Sequence, residues 1–214
     1  MKITALSTQI RDPDRVNISI DGRYRFSLDI SQVIDLGVKQ GQEIDEARLV
    51  ELEEESQFGK LYARTLEYCL TRPRSQREVR DYLYKKTLST KYRTKKGDIK
   101  ERQGIGISIT ERVFARLTEK GYIDDVKFAH YWLENRNQTK GASRRKLTSE
   151  LRAKGVENAV IEQAFDDSER NDNDELMKMI AKKRARYPDE QKLMAHLVRQ
   201  GFSYDDIKTA LHGE

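Results

Sequence analysis

Three stretches decide the fold: residues 75–86 (SQREVRDYLYKK), 143–156 (SRRKLTSELRAKGV) and 189–202 (DEQKLMAHLVRQGF). Laid over one another, they place Val79, Leu147 and Leu193 at one position and Leu83, Leu151 and Leu197 four residues later. Two large aliphatics at i and i+4 form one stripe of an α-helix, because 3.6 residues per turn brings them onto a common face. Gly155 and Gly201 stand near the ends of the second and third stretches, just past the helical stripe, where a helix that ends in a left-handed residue favours glycine.

Working outward, each stretch is followed by a short amphipathic helix carrying Val113 with Leu117, Ile161 with Phe165, or Ile207 with Leu211. A longer helix precedes each, over 58–71, 125–138 and 173–186. The unit is therefore three helices, and its second and third copies repeat at a spacing of 46 residues, measured between Ser143 and Asp189 at the starts of their middle stretches. Such a period marks an array in which neighbouring units complete each other's cores. The first copy is interrupted by an insert, 88–107 (LSTKYRTKKGDIKERQGIGI), with three glycines and no helical period. A surface loop or a β-hairpin is expected there.

The N-terminal stretch follows a different rule. Val16, Ile18 and Ile20 alternate with polar residues, Asp21-Gly22 follows, and Tyr24, Phe26 and Leu28 alternate again. Asp-Gly between two period-2 runs signals a tight hairpin, with Ile3 to Ile10 as a third strand. Residues 29–36 read as a short helix ended by Gly37. A strongly acidic helix over 45–56 continues or bends near Phe58-Gly59 into Leu61–Leu70 and stops at Arg72-Pro73, since proline disfavours helix in its predecessor. The expected fold is mainly α: tandem three-helix repeats in an elongated curved array, with a small N-terminal β-hairpin-containing domain. The expected divisions are 1–44, 45–120 with its basic insert at 88–107, 121–169 and 170–214.

Composition agrees. Of 214 residues, 36% are hydrophobic and 36% charged, too little apolar material for one thick globule but enough for units that each bury one face. One cysteine, Cys69, rules out an intramolecular disulfide and reads as a small buried hydrophobe on a helix. No apolar run approaches a membrane span, and the first residues lack a signal-peptide pattern, so a cytoplasmic protein is expected. The net charge of +5 is unevenly spread: residues 1–56 carry 7 basic and 12 acidic side chains, whereas 57–120 carry 17 and 7. A concentrated positive block points to nucleic acid or an acidic protein surface.

Catalytic chemistry finds no footing. Asp124-Asp125 and Asp205-Asp206 lie at helix starts, and Asp124 reads as an N-cap. Ser203 with Asp206, Ser75 with Glu78 and Ser108 with Glu111 fit the capping-box spacing. His130, His196 and His212 are scattered without metal or triad spacing, and Gly104-Ile-Gly106 lacks the rest of a nucleotide fingerprint. Phe128 and Trp132, four apart on one helix, read as core. The basic clusters are the candidates for function. Arg72, Arg74, Arg77 and Arg80 crowd the start of one middle helix, and Arg144, Arg145 and Lys146 occupy the matching place in the next unit. Cations near helix N-termini oppose the macrodipole, which suggests an external anion there.

The junction into the second unit reads Gly121-Tyr-Ile-Asp-Asp-Val-Lys-Phe-Ala, then Trp132, Arg136, Gly141 and Arg145, then Leu151-Arg-Ala-Lys-Gly155, with Arg72-Pro-Arg-Ser75 upstream. This pattern resembles the RecX family of RecA regulators, most strongly over 121–155, well over 57–166 and in register to 212. Residues 1–56 and the insert lie outside the resemblance.

The resemblance implies a non-enzymatic regulator without cofactor or metal. Such a protein lodges in the groove of the RecA filament on single-stranded DNA. There it suppresses ATPase, strand-exchange and co-protease activities that serve homologous recombination, DNA repair and the SOS response. The partners expected are the RecA filament and single-stranded DNA, with duplex DNA left open; no membrane is expected, and the state is a monomer. The residues expected to touch DNA or filament are Arg72, Arg74, Arg77, Arg80, Lys95, Lys96, Arg136, Arg144, Arg145 and Lys146. The alternative is an autonomous DNA-binding protein using one unit as a helix-turn-helix reader.

Overall fold

Asp21 and Gly22 both take positive φ, 48° and 80°, and turn β2 (Arg15–Ile20) back onto β3 (Arg23–Asp29). That backbone matches the twist of the flanking strands, which is why Asp-Gly suits it. With β1 (Ile3–Thr8) they form an antiparallel sheet in the order β1-β2-β3. Ile18 lies opposite Phe26, and both are buried. α1 (Ile30–Asp35) follows, closed by a reciprocal capping box between Asp29 and Gln32. The computed structural model describes residues 1–94 and 97–212. They form two compact units, one of 1–72 with 80–122 and one of 73–79 with 123–214.

In the first unit, α2 (Glu46–Leu70) is one unbroken helix of 25 residues capped by Asp45. Leu49 and Leu52 join Ile3, Ile18, Leu28 and Ile44 in a single core cluster, so the apolar face of the sheet is closed by α2. The bend allowed for at Phe58-Gly59 is absent. Gly59 instead lets the Gln32 side chain approach closely, for an added Cβ would sit 2.6 Å from its Oε1. The helix expected over 58–71 is thus the C-terminal half of α2, followed by α3 (Gln76–Thr87) and α4 (Ile107–Glu119). Val113 and Leu117 are fully buried, and Tyr68 stacks on Tyr82 at 4.5 Å.

The insert is a surface β-hairpin of β4 (Thr90–Arg93) and β5 (Ile99–Arg102). One cap expected from the sequence is not formed. α4 begins with Gly106 at the N-cap and no side-chain cap bond, which puts Ser108 inside the first turn and removes the Ser108–Glu111 box.

The second unit holds α5 (Asp125–Asn135), α6 (Arg144–Ala153), α7 (Asn158–Asp166), α8 (Asp172–Lys183), α9 (Glu190–Arg199) and α10 (Tyr204–His212). The superposed stripe is core throughout: Val79, Leu147, Leu151 and Leu197 have no exposed surface, and Leu83 and Leu193 almost none. Two clusters result, one around Phe128, Leu147, Leu151 and Ile161 and one around Leu176, Leu193, Leu197 and Ile207. Cys69 is buried, as expected. No described helix is long and apolar enough to cross a membrane.

Successive repeats of the second unit are joined by the same contacts twice over. Ser75, fully buried, accepts the Glu78 N–H and donates its hydroxyl to the Lys154 carbonyl at the end of α6 (2.8 Å). Ser143, also fully buried, accepts the Lys146 N–H and donates to the Gln200 carbonyl at the end of α9 (2.7 Å). One hydroxyl thus caps its own helix and satisfies the C-terminal carbonyl of the next repeat's middle helix, two orphan groups that every helix end must place. In the third repeat the matching residue is Asp189, which caps α9 but has no proton to pass on. Gly155 and Gly201, with φ of 82° and 95°, end α6 and α9 where those serines arrive.

Candidate anion-binding face

The candidate cations divide by what their heads touch. Arg144 pairs with Glu162 and lies over the Phe165 ring at 4.5 Å. Lys146 donates to Gln200 Oε1 (2.6 Å), at the site where Glu78 and Lys154 form an ion pair one repeat earlier. Arg136 holds Glu150 with two hydrogen bonds and lies 5.2 Å from the Trp132 ring centroid. The Glu150 bond raises the Arg136 pKa further. Arg80, in the first unit, stacks on Phe114 at 3.9 Å. Arg72 and Arg74 are half-buried and engaged in interactions of their own. Lys95 and Lys96 lie outside the described residues.

Arg77 and Arg145 are different. They occupy the same place in successive repeats, within one unit. Each is exposed, and among the described residues neither has an ion pair. Their stems lie against the glycine that ends the next repeat's middle helix: a Cβ on Gly155 would sit 2.9 Å from Arg77 Cβ, and one on Gly201 3.3 Å from Arg145 Cβ. The aliphatic part is packed while the guanidinium faces outward, a geometry that suits charge presentation.

The helix dipoles do not call for an external anion, contrary to the expectation from sequence. Each crowded N-terminus is already met by a carboxylate from the following repeat. Asp125 accepts the Gln76 N–H (2.8 Å), and Asp172 accepts the Arg144 N–H (2.6 Å). These acids face the positive helix ends and offset the neighbouring cations. Burial raises the Asp125 pKa, the Gln76 N–H opposes that rise, and the charges of Asp124 and Glu157 add to it. In sequence, Asp124-Asp125 lies at a helix start, with Asp124 as the N-cap. Asp124 does cap α5, through the Val126 and Lys127 N–H groups, while Asp125 serves a different helix. The recurrence of an aspartate at the first residue of α5 and of α8 is the signal in sequence for this arrangement.

Trp132 is half-buried against the second repeat's core, and its Nε1 donates to Glu150 Oε2 (3.1 Å). Arg136 and Lys154 both lie over its ring. An ionic knot without sequence signal joins the second and third repeats: Glu175, 2% exposed, accepts from Arg170, Lys178 and the Ala142 N–H. Burial pushes the Glu175 carboxyl up, but the three hydrogen bonds outweigh it and leave the pKa below its ordinary value. Arg170 also donates to the Leu133 and Arg136 carbonyls. Among the described residues no group of His, Cys, Asp and Glu could hold a metal ion.

Comparison with known proteins gives the family. Residues 1–45 match the regulatory protein RecX N-terminal domain, and residues 124–164 match the second three-helix domain of RecX. Regulatory protein RecX of Bacillus subtilis is 30% identical over 98% of this chain and 75% of its own length. That of Listeria monocytogenes serotype 4a is 26% identical over 98% and 74%. A crystal structure of regulatory protein RecX superposes with a TM-score of 0.71 at 23% identity, covering 98% of both chains. RecX from Lactobacillus salivarius gives 0.54 at 20% identity, over 73% of this chain and 95% of that one.

Proposed function

The chain belongs to the RecX family of regulatory proteins, and on that basis we propose that it is a negative modulator of the RecA recombinase, acting in the cytoplasm by binding and not by catalysis. It seats in the groove of the RecA–DNA filament and inhibits ATPase and recombination, with DNA as a second contact. The observation that carries this reading is the recurrence of Arg77 and Arg145. Two exposed guanidinium groups without ion pairs among the described residues stand at equivalent places in successive repeats, on stems packed over glycine. A regularly spaced cation suits a partner that is itself periodic and acidic, as a filament of protein on phosphate is. On α6 beside Arg145, Arg144 and Lys146 have their charges partly spent on internal partners, as do Arg136 at the end of α5, Arg74 before α3, and Arg72 and Arg80 in the first unit.

The test is a RecA ATPase assay on single-stranded DNA with this protein titrated in. Inhibition at or below equimolar protein is expected, and its absence sinks the reading. Charge reversal at Arg77 and Arg145 together should weaken inhibition strongly while leaving the melting temperature nearly unchanged, since exposed substitutions usually cost within about 0.5 kcal/mol. A variant that melts early instead would make these arginines structural.

A further inference from the structure

The β4–β5 ribbon buries nothing. All eight strand residues are exposed and none belongs to a core cluster. Its root is nonetheless pinned. The Ile105 N–H donates to the Lys86 carbonyl (2.9 Å), and Gly104 lies so close to the Thr87 carbonyl that any side chain would overlap it. Lys86 is the position that matches Lys154 and Gln200, whose carbonyls take a serine hydroxyl in the second unit. At the far end of the strands, the Thr94 N–H donates to the Asp98 carbonyl and the Asp98 N–H to Thr94 Oγ1.

The register sorts the ribbon into two faces, because directly opposed residues point the same way. Thr90, Tyr92, Lys100 and Arg102 share one; Lys91, Arg93, Ile99 and Glu101 share the other. The first carries two cations and no acid around a ring that is 45% exposed, with the Arg102 guanidinium 5.5 Å from the ring centroid. Charge alone would be explained as protection of a sheet edge against aggregation. An exposed aromatic between the cations works against that purpose. It is, however, the combination that binds single strands: a π-face for a base and fixed cations for the backbone.

We propose that the Tyr92 face of this ribbon binds single-stranded nucleic acid, with one base stacked on Tyr92 and neighbouring phosphates held by Lys100 and Arg102. The proposal rests on the recombinase reading only for where such a strand would be met. The test is fluorescence anisotropy of a labelled oligothymidylate with the full chain and no recombinase. Tyr92→Ala should lower affinity about tenfold without changing the salt slope, and Tyr92→Phe should bind almost as the parent does. Lys100→Gln with Arg102→Gln should flatten the slope of log affinity against log salt by about 0.7 for each phosphate no longer neutralised. Thermal melts of all variants should coincide with the parent, since the ribbon contributes to no core.

Binding by Tyr92→Ala within about twofold of the parent overturns the proposal, as does an equal loss in Tyr92→Ala and Tyr92→Phe, which would implicate the hydroxyl and not the ring. The two readings fail separately. A protein that binds oligothymidylate through Tyr92 but leaves recombinase ATPase untouched sinks the proposed function and keeps this one. Full inhibition with oligothymidylate binding unaffected by Tyr92→Ala does the reverse.

Discussion

Replacing Ser143 by aspartate separates the two jobs of its hydroxyl. Ser143→Ala removes both: the cap on α6, worth about 1 kcal/mol, and the hydrogen bond to the Gln200 carbonyl, which left without a donor costs about 1–3 kcal/mol. The lower end applies, because that bond is only part-buried. The total is about 2 kcal/mol, or roughly 8–16 °C for a unit near 100 residues. Ser143→Asp keeps the cap, since aspartate caps as well as serine. It cannot donate to Gln200, however, and it places a carboxylate against a carbonyl. A loss of about 1 kcal/mol or more is therefore expected from the joint alone. Asp189, at the matching place in the third repeat, already caps α9 through the Lys192 N–H. Urea unfolding followed by the fluorescence of Trp132, the single tryptophan, reads the second repeat directly. If Ser143→Asp unfolds at the same midpoint as the parent, the serine joints do not couple the repeats.

Leu151→Ala, at a fully buried site in the cluster around Phe128, should cost about 2–5 kcal/mol by urea denaturation; a loss under about 0.5 kcal/mol would take the superposed stripe out of the core. Glu175→Gln breaks a buried pair with Arg170 and should cost about 3–5 kcal/mol. Because the Glu175 pKa is held down, its stabilisation is present above the ordinary value of 4.5 and is lost as pH falls through and below it. A urea-midpoint series from neutrality downward should show that acid loss in the parent and less of it in Glu175→Gln. Gly201→Ala should destabilise more than Gly41→Ala in thermal melts: both have positive φ, but only at Gly201 would the new Cβ meet Ser143 Oγ at 2.6 Å.

The helical stripes, their spacing, the Asp-Gly turn and the caps at Asp124 and Ser75 depend on residues within a few positions of each other, so the sequence alone determined them. The same is true of the family resemblance, which is strongest in a local string around Gly121–Gly155, although the match to the family extends to residues 1–45 as well. The joints between repeats depend on residues far apart in the chain, as Ser75 with Lys154 and Asp125 with Gln76, or on a buried setting that no pattern marks, as Arg170 with Glu175. No periodicity announces them, because a serine or aspartate that caps its own helix looks the same as one that also reaches the next. The candidate face divided along that line. A sequence places ten cations on it, but only the fold decides that Arg144, Arg136 and Lys146 spend their heads on Glu162, Glu150 and Gln200. It leaves Arg77 and Arg145 turned outward over a glycine, because a missing side chain on the neighbouring helix end is what gives their stems a place to lie.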